Sequence, residues 1–151
     1  MHEIERKYLV NPNNLDDIKN KTNPHLILQA YLINEEAKSA RIRIKNEKAF
    51  LTVKSSMSGI SRLEYEYEIP VADAHEMIEK FELTTLSKKR YDIPYEGKLW
   101  EVDFFEGKLD GLVIAEIELK TEDEPFILPE WIGKEVTSDP QYLNANLIYR
   151  L

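Results

Sequence analysis

Alternating apolar and charged residues run through most of the chain. At its start, Glu3, Glu5 and Lys7 would share one face of a strand and Ile4 and Tyr8 the other, because successive strand side chains point to opposite faces. The same alternation, with β-branched and aromatic content, predicts eight strands, at residues 2–10, 27–34, 39–46, 48–55, 62–69, 87–93, 98–106 and 112–121. The short connections between them favour sequential antiparallel pairing.

Three helices are predicted beside the strands, at residues 13–21, 71–82 and 140–148. The third would open with Asp139 as its cap and Pro140 in its first turn. Strands with one apolar and one charged face suit a closed barrel with a polar lumen, because a dry core could not accept so many carboxylates. We therefore expect an α+β, mainly β fold: an eight-stranded antiparallel closed β-barrel with a charged lumen and a few covering helices.

The charged faces carry blocks of one sign. Arginine and lysine alternate with apolar residues through residues 41–45, and glutamate alternates with tyrosine through residues 64–68. Surface strands usually mix the two signs, which limits lateral repulsion. We expect a ligand or an ion from outside the chain to balance these blocks.

The composition indicates a single domain over residues 1–151. A hydrophobic content of 42% and a charged content of 32% are typical of a globular protein, and no linker, repeat or low-complexity run interrupts the chain. The net charge of -8 would repel a nucleic-acid backbone or an anionic membrane, so neither is an expected partner. A local cluster of arginines and lysines can still bind a small anion, because nearby charges act more strongly than a screened net charge.

The sequence gives no sign of secretion or of a membrane span. No apolar stretch reaches the ~20 residues that a membrane helix needs, and the charged start is not a signal peptide, so a cytoplasmic location is the default expectation. The absence of cysteine excludes disulfides, thiolate metal sites and a cysteine nucleophile. A homodimer is compatible with the sequence, but no pattern in it argues for one.

Several familiar catalytic motifs are missing. Each Gly-Lys pair lacks the upstream glycine of a phosphate-binding loop, and no dinucleotide-binding glycine pattern occurs. Residues 75–79 resemble a zinc-protease helix, but Glu79 stands in place of the second histidine. No serine lies in a nucleophile-elbow context.

The charged strand faces supply the chemistry of a metal–phosphate site instead. Eight carboxylates are hard oxygen ligands of the kind that Mg²⁺ or Mn²⁺ prefers: Glu3, Glu5, Glu64, Glu66, Glu101, Asp103, Glu116 and Glu118. Six basic residues could hold phosphate oxygens: Lys7, Arg41, Arg43, Lys54, Lys88 and Arg90. Acidic and basic groups on the same barrel wall indicate metal-assisted phosphoryl transfer.

These residues also carry a family resemblance. Residues 3–7 match the Glu-x-Glu-x-Lys signature of the CYTH superfamily, the triphosphate tunnel metalloenzymes, and the ordered match continues nearly end to end. It runs through Gln29-Ala30-Tyr31-Leu32, Arg41-Ile42-Arg43, Leu51-Thr52-Val53-Lys54, Ser61-Arg62-Leu63-Glu64-Tyr65-Glu66, Lys88-Lys89-Arg90-Tyr91, Glu101-Val102-Asp103, Glu116-Ile117-Glu118 and residues 135–139. The five-residue signature alone is weak, whereas the ordered set is specific.

The resemblance implies a tunnel that binds triphosphate compounds with magnesium or manganese. It assigns Glu3, Glu5 and Glu118 to the metal that contacts the triphosphate, and the six basic residues to its oxygens. Of the remaining acids, Glu116 and Asp103 are candidate ligands of a second metal. Glu64 and Glu66 are candidates to act on the attacking water. Lys88 would either stabilise the leaving oxygen or make a ground-state phosphate contact.

The function that we expect is metal-dependent hydrolysis of inorganic tripolyphosphate to phosphate and diphosphate by a metal-activated water. Thiamine triphosphatase and nucleoside or RNA triphosphatase are alternatives within the same fold, although no seat for an organic group is evident. A class IV adenylate cyclase and a non-catalytic polyphosphate or nucleotide binder are further alternatives. The carboxylates argue against a plain anion receptor, because they would repel its ligand unless a metal were present.

Some neighbouring residues have predictions of their own. Tyr31 would either enter the lumen or pack in the wall. Lys45, Glu68 and Lys120 lie toward strand ends and are expected to be solvated. Trp100 and Trp131 are expected to be packing residues.

Overall fold

A computed structural model of the protein describes residues 1–150. These residues form nine strands: β1 His2–Val10, β2 His25–Asn34, β3 Lys38–Lys45, β4 Lys48–Ser55, β5 Ser61–Ile69, β6 Thr85–Tyr95, β7 Lys98–Phe105, β8 Val113–Glu118 and β9 Ile132–Glu135. Three α-helices accompany them: α1 Leu15–Lys19, α2 Val71–Lys80 and α3 Asn144–Leu147. No helix in residues 1–150 is both long and apolar enough to cross a membrane.

The first eight strands close on themselves. Their order is β5-β4-β3-β2-β6-β7-β8-β1, every pairing is antiparallel, and β5 pairs back to β1. The closing contact is short: it joins His2 to Leu63, Glu3 to Arg62 and Ile4 to Ser61. The expected eight-stranded antiparallel barrel is thus confirmed.

Apolar side chains cover much of the outside of the barrel. Trp100 is fully buried there and meets Tyr8 and Trp131 edge-on, with ring centroids 5.6 and 5.8 Å apart. On another side, Ala74 of α2 packs against Ile42 of β3 and the neighbouring strand. The prediction that both tryptophans are packing residues is confirmed, and the charged faces are left to point inward.

A separate apolar cluster fills one end of the barrel. Leu86, Phe105 and Ile114 lie on the same face of β6, β7 and β8 as the charged residues of the lumen, two positions away from Lys88, Asp103 and Glu116. They pack against Leu147 and Ile148 near the end of the chain. The C-terminal segment therefore closes that end of the lumen from inside.

This C-terminal segment is not the continuous helix predicted at residues 140–148. A 3₁₀ turn at Pro140–Tyr142 is followed by extended backbone at Leu143 (φ -71°, ψ 134°) and only then by α3. The break redirects the chain so that Leu147 reaches the barrel interior, and Asn34 Nδ2 fixes it by donating to the Ala145 carbonyl at 2.8 Å. Asp139 does cap the first turn, because its Oδ1 accepts a hydrogen bond from the backbone N–H of Gln141 at 3.2 Å.

Two further elements differ from the prediction. β9 is an additional strand that pairs with the outer edge of β1, where Arg6 donates to Glu135 at 2.6 and 2.8 Å. It was missed because it spans only four residues and includes Gly133, too little for a period-two pattern. The first helix is also shorter than predicted, since residues 12–14 form a 3₁₀ turn before α1.

Candidate functional site

The barrel encloses a charged cavity of about 270 Å³. All eight barrel strands contribute side chains to it, because period-two alternation turns every second residue inward. Twelve of the fourteen predicted metal-ligating and phosphate-binding residues line it: Glu3, Glu5, Lys7, Arg41, Arg43, Lys54, Glu64, Glu66, Arg90, Glu101, Glu116 and Glu118. The structure thus brings together most of the residues that the sequence analysis singled out.

Lys88 and Asp103, the other two predicted site residues, lie behind this lining and are fully buried. Lys88 Nζ donates to Asp103 Oδ2 at 2.7 Å, and Arg90 donates to both oxygens of the same carboxylate at 2.7 and 2.8 Å. Burial alone would raise the pKa of Asp103, but the positive charges of Arg90 and Lys88 outweigh it and lower that pKa. Asp103 is therefore a buried carboxylate shared by two cations.

The acidic side of the cavity is centred on β1. Glu3 accepts from Lys54 Nζ at 2.9 and 3.0 Å, and its Oε1 lies 3.4 Å from Arg62 Nε. On the neighbouring strand, Glu116 Oε1 accepts from Lys7 Nζ at 3.1 Å. Each of these carboxylates already has a basic partner from another strand.

Glu5 and Glu118 are the carboxylates with the least compensation. Burial, followed by the charge of Glu116, raises the pKa of Glu5 to about 7. Burial, followed by the charge of Glu3, also raises the pKa of Glu118. A bound cation would relieve this crowding, so the all-oxygen donor set fits a hard divalent metal.

The carboxylates do not stand in a ready coordination shell. Within residues 1–150, no group of three or more acidic or histidine side chains has the arrangement of a metal site. Lys54 and Lys7 lie among the oxygens of Glu3, Glu5 and Glu116 instead. Binding a metal here would require these ammonium groups to give up carboxylate contacts.

On the basic side of the cavity, positive charges repel one another. Enclosure and the charges of Arg41 and Arg90 lower the pKa of Arg43 to about 9. Burial and the charge of Arg41 lower the pKa of Lys54 to about 8. Burial lowers the pKa of Lys88 to about 7, because together with the charges of Arg90 and Arg43 it outweighs the opposing effect of Asp103. An anion placed among these groups would offset their mutual repulsion.

Sequence reasoning placed some lining residues incorrectly or left them out. Lys45 was expected to be solvated but lines the cavity, whereas Glu68 and Lys120 are exposed as expected. Tyr31 does both things considered for it: it lines the cavity and packs against the apolar cluster at the closed end.

Arg62 and Thr52 had no assigned role, and both line the cavity. Thr52 is fully buried and connects two charged residues, since its hydroxyl donates to Glu66 at 3.0 Å and accepts from Arg41 at 3.3 Å. The alternation of β4 and β5 that placed Lys54 and Glu64 inward is the signal that could have found both.

Comparisons with known proteins agree with this architecture. The CYTH domain model matches residues 1–150. An inorganic triphosphatase of Acetivibrio thermocellus is 50% identical over 147 residues, covering 97% of this chain and 92% of that protein, and one of Nitrosomonas europaea is 37% identical, covering 97% of both. A crystal structure of an inorganic triphosphatase superposes with a TM-score of 0.65 at 32% identity, covering 97% of this chain and 93% of the other. The chain belongs to the CYTH domain family.

Proposed function

We propose that this protein is an inorganic triphosphatase, a hydrolase that cleaves a phosphoanhydride bond of tripolyphosphate and releases phosphate and diphosphate. The observation that carries the proposal is the enclosed cavity in which a basic wall faces a crowded carboxylate wall. A polyphosphate with a divalent cation supplies both charges that these walls lack. The full-length similarity to two inorganic triphosphatases supports the same activity.

The size and lining of the cavity favour a small inorganic substrate. Its volume of about 270 Å³ is below the range of ~300 to 1,000 Å³ that is usual for drug-sized ligands. Its described lining has two aromatic side chains, Tyr31 and Phe50, among mostly charged residues. A nucleoside or thiamine would require a larger apolar or hydrogen-bonding seat.

Glu3, Glu5 and Glu118 are the residues that would hold a divalent metal, with Glu116 and Asp103 as candidates for a second one. Because all of these ligands are carboxylate oxygens, we propose magnesium or manganese. When bound, the metal would offset charge on the phosphate oxygens and lower the pKa of a water. The basic residues of the opposite wall would grip the remaining phosphate oxygens and fix the substrate in line with its attacker.

The hydrolysis itself needs a water and a proton acceptor. The water oxygen forms a bond to the terminal phosphorus while the bond from that phosphorus to the bridging oxygen breaks, and the bridging oxygen leaves with diphosphate. Glu64 and Glu66 face the cavity from β5 and are proposed to orient the water and accept its proton. Arg90 also lines the cavity, and we propose that it offsets negative charge that develops on the substrate.

Phosphate release from different triphosphates tests this proposal. Tripolyphosphate, thiamine triphosphate and ATP should be compared side by side with magnesium, manganese or a chelator, and the ATP reaction should also be assayed for cyclic AMP. We expect metal-dependent release from tripolyphosphate that exceeds release from both organic substrates. A preference for an organic triphosphate, cyclic AMP formation, or no release from any substrate would contradict the proposal.

A further inference from the structure

Arg43 differs from the other basic residues predicted to hold the substrate in the charge of its polar partners. Within residues 1–150, it forms no ion pair with a carboxylate, whereas Arg41 lies 4.0 Å from Glu66 and Arg90 contacts Asp103 at 2.7 Å. Lys7, Lys54 and Lys88 are likewise paired with carboxylates. The lowered pKa of Arg43 is consistent with a cation that lacks a compensating charge.

The polar partner of Arg43 is the neutral side chain of Gln29. The two residues lie directly opposite each other on β2 and β3. Gln29 Oε1 accepts from Arg43 Nε at 3.3 Å and from Nη2 at 3.2 Å. Gln29 is fully buried and does not line the cavity, so it contacts the guanidinium from behind.

The other end of the Gln29 amide indicates why a glutamine is present. Its Nε2 is buried and has no hydrogen-bond partner in residues 1–150. Rotating the amide would not help, because it would set the NH₂ group against a guanidinium that has only donors. An apolar side chain would avoid the unpaired donor altogether. Gln29 therefore combines an unpaired NH₂ group, which is unfavourable, with an acceptor oxygen that holds Arg43, which is favourable.

We infer that Gln29 is a positioning residue that orients the Arg43 guanidinium toward the lumen without neutralising it, so that its full charge is available to a phosphate group of tripolyphosphate. This inference rests on the proposed function and adds a specific role to it. A carboxylate at this position would hold the guanidinium equally well but would compete with the substrate for its charge. An amide oxygen supplies the orientation alone.

Two substitutions separate orientation from neutralisation. Gln29→Glu keeps an acceptor oxygen and adds a counter-charge, so it should raise the melting temperature of the ligand-free protein and yet raise KM for tripolyphosphate by about tenfold or more, with a smaller effect on kcat. Gln29→Leu leaves the Arg43 donors unpaired, so it should lower the melting temperature and also raise KM. Gln141→Glu makes the same chemical change at an exposed position outside the cavity and should leave KM unchanged.

The result for the wild type and the results for the variants test different statements. A wild type that does not hydrolyse tripolyphosphate removes the proposed function and, with it, this role for Gln29. A wild type that does hydrolyse it, beside a Gln29→Glu variant with unchanged KM, removes the role of Gln29 alone. A lower melting temperature for Gln29→Glu also overturns the inference, because a buried residue that only packs in the wall would respond in that way to an added charge.

Discussion

Asp103 is the residue on which two buried cations depend. Its carboxylate, itself fully buried, accepts from Lys88 and Arg90 at 2.7 to 2.8 Å. Removing one member of such a group leaves uncompensated charge in a medium that solvates it poorly. Its predicted role as a metal ligand stays a prediction, and a single substitution can separate the two roles.

Asp103→Asn keeps the shape of the side chain but removes its charge. We expect the free energy of unfolding, measured by urea denaturation without metal, to fall by about 3 to 5 kcal/mol. Asp110→Asn, at an exposed position, is the matched control and should change it by less than about 0.5 kcal/mol. A normal stability combined with a raised magnesium requirement would instead identify Asp103 as a metal ligand.

Lys88 tests whether a buried cation acts on the leaving oxygen. If it does, Lys88→Ala should lower kcat about a hundredfold or more while changing KM much less. Lys89→Ala alters the exposed neighbour on the same strand and should change neither parameter. An unchanged kcat with a raised KM would leave Lys88 as a ground-state phosphate contact.

The sequence predicted charged residues of the site better than neutral ones. Glu3, Glu5 and Lys7 alternate with apolar residues, and a strand can place such a pattern only on a polar face. Gln29 and Thr52 are fully buried polar residues beside the charged groups. Thr52 alternates in step with Lys54 on β4, but a neutral amide or hydroxyl does not by itself mark a charged strand face. Their roles depend on which arginine lies opposite, and that is a property of strand register.

Among the structural elements, the C-terminal segment gives the barrel one closed end. Leu147 is fully buried in the apolar cluster with Leu86 and Phe105, on the lumen side of the strands. The packing of this short α3 therefore affects both stability and the boundary of the cavity, which residues 143–145 also line.

Leu147→Ala should create a void at that closed end. We expect the free energy of unfolding to fall by about 2 to 5 kcal/mol, because a fully buried leucine loses both its transfer energy and its contacts. Leu128→Ala, where the leucine is 51% exposed, is the control for urea denaturation and should cost much less. Equal losses in the two variants would show that the segment does not pack as described.

The elements themselves were predictable to different degrees. All eight barrel strands were expected, because their alternation continues for six to eleven residues. β9 and the break at Leu143 were not expected, because each depends on tertiary contacts. β9 forms by pairing with the edge of β1, and the break lets Leu147 pack into the end of the barrel. Local patterns carry little information about such short segments.

For the whole molecule, barrel closure turns eight separate charged faces into one enclosed site. The short pairing of β1 with β5 brings Glu3 beside Lys54 and Arg62, which are far from it in sequence. Opposite charges thus meet inside the barrel in place of the single-sign blocks seen along each strand. Because the walls still carry unrelieved acidic and basic charge, the structure suits a ligand that combines a metal cation with a polyanion.

The central claim is that the carboxylates of this lumen hold a metal for tripolyphosphate hydrolysis. Phosphate release from tripolyphosphate, followed during magnesium titration in wild type, Glu5→Gln and Glu68→Gln, tests it most directly, since Glu68 is an exposed glutamate outside the cavity. We predict metal-dependent activity in wild type and Glu68→Gln, and a loss of about a hundredfold or more in Glu5→Gln with the fold intact by circular dichroism. Phosphate release that persists in chelator, or a Glu5→Gln variant as active as wild type, would contradict the account.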